Sequence, residues 1–126
     1  MDNFWYTNKV LLWASELGSA RRLVPKEDCE MDTYVILGNY TQQGVEKIKE
    51  SPDRIEAGRK AFEAVGGKII GWYLLMGRYD FMLIVQAPNS QAVASVLLSY
   101  GAGGNGRTET LRAFSEAEFK DIVASL

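Results

Sequence analysis

Between Gly67 and Pro88 the chain carries two short apolar runs, Lys68–Met76 and Phe81–Gln86, on either side of a turn. Both are too short and too rich in bulky strand formers to be helices. Gly77-Arg78 can form a two-residue hairpin loop, with glycine first where a type II′ turn needs positive φ. That register pairs Met76 with Tyr79, Leu74 with Phe81, Trp72 with Leu83 and Ile70 with Val85. The other face then carries Ile69, Gly71, Tyr73, Leu75, Asp80, Met82, Ile84 and Gln86. Both faces are mainly apolar, so both need cover.

The flanking segments supply part of that cover. Thr33–Gly38 is a first strand, apolar on both faces. Thr41 caps the helix that follows, with Val45 and Ile48 facing inward. Ser51-Pro52-Asp53 is a second helix start, with an N-cap, a proline at the first position and an early acid. Ile55, Gly58, Phe62 and Val65 form the buried face, and Gly66-Gly67 ends it. One kinked helix or two consecutive helices therefore span 41–65. After the hairpin, Asn89 or Ser90 caps a helix with Val93, Val96, Leu97 and Tyr100 on one face, ending at Gly101. A loop over Gly101–Gly106 leads to a more polar edge strand, Arg107–Phe114. Ser115 and Glu118 make a capping box that opens a last helix bearing Phe119, Ile122, Val123 and Leu126.

The order β-α-β-β-α-β defines an α+β, ferredoxin-like sandwich in which two helices cover one face of an antiparallel sheet. With three inner strands apolar on both faces, the second face must meet terminal helices or another subunit. A self-complementary homodimer is the expected solution.

Residues 1–30 form a separate unit, and 31–126 the domain. Tyr6, Val10, Trp13, Leu17 and Ala20 make one apolar stripe on a helix of about four turns, followed by a linker at Val24–Asp28. The helix packs on its own domain or a sister subunit, or docks on a protein or a membrane surface through residues 4–20. Met31 also suits the start of a shorter chain. The segment opens on Asp2 and carries Glu16 ahead of Gly18-Ser19-Ala20, against a secretory leader.

At 126 residues, 47% hydrophobic and 24% charged, the chain suits one globular domain. A net charge of −2 argues against a phosphate-binding surface, so no nucleic acid is expected. There is no histidine, which removes His-based relays, Ser-His-Asp triads and nearly all zinc sites. No cofactor or metal is expected. The single cysteine, Cys29, cannot close an internal disulfide and fits a reducing, cytoplasmic setting. No apolar run approaches the roughly 18–20 residues a membrane helix needs.

Gly77-Arg78-Tyr79-Asp80 resembles the Gly-x-Tyr-Asp motif of the GYD-domain family, within the dimeric α/β barrel superfamily. Tyr34-Val35-Ile36-Leu37, Tyr40–Gly44, Ser51–Arg54, Gly66-Gly67-Lys68 and Arg107–Thr110 extend the resemblance over about 31–115, leaving out residues 1–30 and the last helix. It implies a ferredoxin-like protomer whose sheet packs into a dimeric barrel, with no settled activity. At superfamily level it implies a cavity between sheet and helices, used by cofactor-free monooxygenases and small-ring isomerases; the histidine of several such sites is absent here.

Candidate chemistry is sparse. Tyr79 and Asp80 can orient a ligand or move a proton, although neighbours on a strand point to opposite faces. Tyr73 is a further candidate. Arg54, Arg59 and Arg107 suit a carboxylate clamp or ordinary surface ion pairs. Gly101–Gly106 matches G-x-G-x-x-G in spelling, but it follows a helix and opens a strand, the reverse of a dinucleotide site. A flexible loop at a cavity mouth is its expected use. The leading expectation is an oligomeric domain that binds a small molecule or another protein. The alternatives are a cofactor-independent enzyme acting on a small organic acid or aromatic ring, and a structural subunit recruited through its N-terminal helix.

Overall fold

A computed structural model describes residues 31–126. The N-terminal helix and linker expected over 1–30 lie outside the described residues. Strand β1 (Asp32–Tyr40) leads into a short helix α1 (Gln42–Glu46), a 3-10 turn (Ile48–Glu50) and helix α2 (Ser51–Ala64). Strands β2 (Lys68–Leu74) and β3 (Phe81–Ala87) follow, then helix α3 (Ser90–Ala102), strand β4 (Gly106–Ala113) and helix α4 (Glu116–Ala124). The sheet order is β2-β3-β1-β4 and every neighbouring pair is antiparallel, the ferredoxin-like arrangement.

The core follows from period-2 alternation meeting two helix stripes. Tyr34 and Ile36 of β1 and Phe81, Leu83, Val85 and Ala87 of β3 point to one face. Phe62 of α2 and Val93 and Val96 of α3 close over them. Phe81 lies across β1 at Gly38, where any Cβ would run into its ring. The opposite face carries Val35, Leu37, Met82 and Ile84 in the centre, with Tyr73 and Leu111 beside them.

Several expectations need correction. Leu74 pairs with Phe81 and Trp72 with Leu83 as expected, but a bulge at Ile70 makes Ile69, not Ile70, the partner of Val85. A bulge inserts one residue and reverses the alternation across it, so Ile69 turns to the helix side. Met76 and Tyr79 are not paired. Strand β2 stops at Leu74, and the turn closes with the Leu75 amide donating to the Asp80 carbonyl at 2.8 Å, a loop wider than two residues. β2 is an edge strand, so two strands rather than three are inner. Val45 and Ile48 are exposed, because the chain over 41–65 breaks into three helical pieces and rotates them outward. Ser51 does not cap α2. Glu50 occupies that position, and the Ser51 hydroxyl bonds the Tyr40 hydroxyl at 3.0 Å instead.

The terminal helix forms with the expected capping box. Arg112 ties its first turn to the sheet: the guanidinium lies 3.0 Å from Asp32, 3.9 Å from Glu118 and 4.3 Å above the Phe114 ring. Its apolar residues stay open, with Phe119 59%, Ile122 45% and Val123 48% exposed. It therefore does not cover the second sheet face. Among the described residues, no helix is long and apolar enough to cross a membrane.

Candidate functional site

The helices α2 and α3 do not close fully onto the sheet. A cavity of about 80 Å³ remains between them. Its floor is aromatic because three rings gather on Phe81: Trp72 stacks at 5.7 Å, Tyr40 tilts at 5.1 Å and Tyr100 meets it edge-on at 6.4 Å. These come from the ends of β1, β2 and α3, each placed by the alternation or stripe that builds the core. Gly58 lets α2 approach without filling the space, and Ile69 closes one wall.

The polar groups sit at one end. Ser51 is buried and shares its hydroxyl with Tyr40. Arg54, one turn further along α2, has a side chain only 19% exposed. Its Nη1 donates to the Lys47 carbonyl at 3.2 Å and lies 3.8 Å from the exposed Glu50 carboxylate. Its Nη2 is buried and has no acceptor among the described residues. An arginine stays charged, and an N–H buried without an acceptor costs about 1–3 kcal/mol. Burial pushes the Tyr100 phenol above its ordinary value, with Tyr40 adding to the rise and Arg54 opposing it. At neutral pH Tyr100 is a hydrogen-bond donor. The lining offers donors and a positive charge, and no lining residue is a carboxylate. Such a set suits an acceptor.

Of the residues singled out in the sequence, only Arg54 lines this cavity. Tyr79 donates to Glu109 at 2.6 Å on the outside of the sheet, and that bond is the main cause of its raised pKa. Asp80 accepts from the Tyr40 amide at 2.9 Å. The two lie in the turn before β3 and serve separate contacts. Tyr73 is half exposed on the sheet face away from α2 and α3, opposite Met82. Arg59 pairs with Glu56 at 3.3 Å. Arg107 lines a shallower outer depression, which shares Leu97 and Thr108 with the cavity. The proposed docking residues Tyr6, Val10, Trp13 and Leu17 lie outside the described residues.

Tyr40, Ser51 and Tyr100 are site residues that sequence pattern does not single out. Each is absorbed there into an element, as a strand end, a cap and a helix face. The available signal lies in Tyr100, a hydroxyl on an otherwise aliphatic stripe. The glycine-rich loop is also differently used. Thr41 donates to Gly104 at 2.6 Å, and Gln43 donates to Gly103 and Asn105 at 2.9 and 3.0 Å. These bonds pin the loop to the start of α1. Among the described residues, no group of three or more acidic or cysteine side chains is gathered for a metal ion.

Fold and cavity together define a ferredoxin-like α+β domain with a donor-lined pocket under its helices. The family model for the GYD domain matches residues 34–123. The chain belongs to the GYD domain family. The match runs through most of α4, so the last helix is part of the family's domain and not an addition to it. A relative from Thermus thermophilus, the glutamine synthetase and cystathionine beta-lyase binding protein, is 31% identical over 97 residues, covering 76% of this chain and 99% of the relative. Among solved structures, the crystal structure of MtbAldR overlays 68% of this chain and 55% of its own, at 20% identity and a TM-score of 0.55. That of LrpC from B. subtilis overlays 68% and 51%, at 18% identity and a TM-score of 0.47. The chain thus spans about half the length of these two structures. The first of them bears out the fold.

Proposed function

We propose that the domain is a homodimeric, protein-binding module of the cytoplasm. The observation that carries the reading is the sheet face opposite α2 and α3, where Val35, Leu37, Met82 and Ile84 lie side by side on the two inner strands. Tyr73 and Leu111 extend it to both edges, 52% and 43% exposed. An apolar sheet face of this kind is covered in most proteins by a second layer about 10 Å away, and a second copy supplies an identical, self-complementary one. At about 25 cal/mol per Å² of apolar surface, such burial is the largest association energy this surface can offer.

Protein binding is supported by the relative, named for binding two enzymes. That relative is matched over 99% of its own length and 76% of this chain, which supports carrying its binding property over to the shared portion. The reading therefore assigns client binding to the domain. Docking through Tyr6, Val10, Trp13 and Leu17 is the competing arrangement.

Sedimentation equilibrium tests the dimer. The full chain is expected to sediment at twice the protomer mass, and Ile84→Glu to give folded monomers. A wild-type monomer at about 0.1 mM, a concentration at which even modest interfaces associate, overturns it. Binding of purified glutamine synthetase and cystathionine beta-lyase, followed by interferometry, tests the client. Loss of binding in Val10→Asp/Leu17→Asp moves docking to the N-terminal segment, and absence of binding in the wild type removes these enzymes as clients.

A further inference from the structure

The cavity under α2 and α3 is independent of the protein-binding reading. Its polar end is the Arg54 guanidinium, which stays charged and belongs to a side chain only 19% exposed. Its body is flat and apolar, with Phe81, Trp72 and Tyr100 on three sides. We propose that this cavity is a binding site for a small monocarboxylate, whose carboxylate is held at the Arg54 end and whose hydrocarbon part lies on the Phe81–Trp72 platform.

Three features select that chemistry. Charge comes first: Arg54 contributes a positive charge inside the cavity, and no lining residue is acidic to cancel it. Glu50, the nearest carboxylate to Arg54 among the described residues, is 67% exposed at 3.8 Å from Nη1, so it is screened by water. Size comes second. A volume of about 80 Å³, against roughly 10–15 Å³ for one water, admits a guest of about four to seven heavy atoms. That is the size of the part of a guest the pocket can enclose, and it favours a small acid over a nucleotide or peptide. Shape comes third, since the aromatic floor offers area without further hydrogen-bond partners, so the guest has one polar end and one apolar end. Ser51 and Tyr40 hold each other's hydroxyls at 3.0 Å and leave one further hydrogen-bond position at the polar end. Arg107, in the adjoining outer depression, places a second cation near the rim at Leu97 and Thr108, where it attracts anions by long-range field.

The test uses the full chain and isovalerate as probe, with isovaleramide as its neutral counterpart of the same shape. A ligand this small binds with a Kd of about 0.1–5 mM, within reach of calorimetry and ligand-observed NMR. Isovalerate is expected to bind one per chain and isovaleramide about 10- to 100-fold more weakly, the worth of one charge-assisted hydrogen bond. Arg54→Met, which keeps the stem and removes the charge, is expected to lower isovalerate affinity by the same factor without altering the amide. Gly58→Leu, which fills the space from α2 and leaves Arg54 in place, is expected to abolish binding of both. Circular dichroism and melting curves establish that each variant is folded. If Arg54→Met proves unfolded, Gly58→Leu and contacts from isovalerate protons to the Trp72 ring carry the decision. Equal affinity for acid and amide overturns the proposal. So does retained binding in Gly58→Leu, or no binding of isovalerate by the wild type at about 20 mM, an excess over the expected Kd.

Discussion

Asp80 Oδ2 accepts a hydrogen bond from the Tyr40 amide at 2.9 Å, joining residues 40 apart in sequence. The Asp80 amide also donates to the Gly38 carbonyl at 2.8 Å, so the last residue of the Gly77–Asp80 turn clamps the end of β1 twice. Tyr40 carries one of the cavity's hydroxyls and Gly38 accommodates the Phe81 ring. The turn that marks the family thus fixes a wall of the pocket without entering it. Asp80→Ala is expected to lower stability by about 1–3 kcal/mol, because the Tyr40 N–H is left without its acceptor. Urea unfolding measures this, and Asp80→Asn, which keeps an oxygen acceptor, should lose less.

Two glycines on the helical layer should respond in opposite directions. At Gly44 an added Cβ meets the backbone oxygen of Asn105, which cannot swing aside. Gly44→Ala is expected to destabilise by about 1–3 kcal/mol and to loosen the pinned loop after α3. At Gly58 the nearest atom to an added Cβ is Ile69 Cδ1 at 4.0 Å, ordinary contact. Gly58→Ala should therefore stabilise, by up to about 1 kcal/mol through helix propensity. Paired thermal melts give both signs.

Helix α4 is held by its cap and by Arg112 more than by packing. The Ser115 hydroxyl accepts from the Glu118 amide at 3.1 Å, while Glu118 accepts from the Ser115 amide at 2.8 Å. Ser115→Ala is expected to cost about 1 kcal/mol within α4 alone. Hydrogen exchange should show faster amides over 116–124 and unchanged protection in β1 and β3. A uniform rise across the domain would mean that α4 is coupled to the core.

Tyr34, Tyr79 and Tyr100 all titrate above the ordinary phenol value of 10.0. Burial is the leading cause for Tyr34 and Tyr100, and the bond to Glu109 for Tyr79. A raised folded-state pKa means that the folded protein keeps a proton the unfolded chain releases. The stability these groups add is whole below pH 10.0 and is lost as pH rises through the higher folded values. Chemical denaturation from pH 8 to 11, with phenolate absorbance read in parallel, should show stability flat and then falling. Tyr79→Phe should reduce the slope of that fall.

Much of the architecture is written in residue pattern. Alternation in Phe81–Ala87 and the stripe Val93, Val96, Leu97, Tyr100 specify which faces meet, and the Ser115–Glu118 box specifies where α4 begins. The bulge at Ile70 is hidden because β2 is apolar on both faces. A slip of one residue there exchanges one greasy side chain for another and leaves no trace in the pattern. The pocket is hidden for a related reason. Arg54 is legible as a cation, but its convergence with Tyr40 and Tyr100 depends on how three elements cross, which spacing along the chain does not encode.

Phe81 is at once the keystone of the interior and the pocket's floor, seated over Gly38 and ringed by Tyr40, Trp72 and Tyr100. Trimming that ring to admit a bulkier guest would unmake the fold before it widened the selectivity. A pocket redesigned for a different guest would therefore have to change at the roof, at Leu97 and Gly58, and leave the foundation alone.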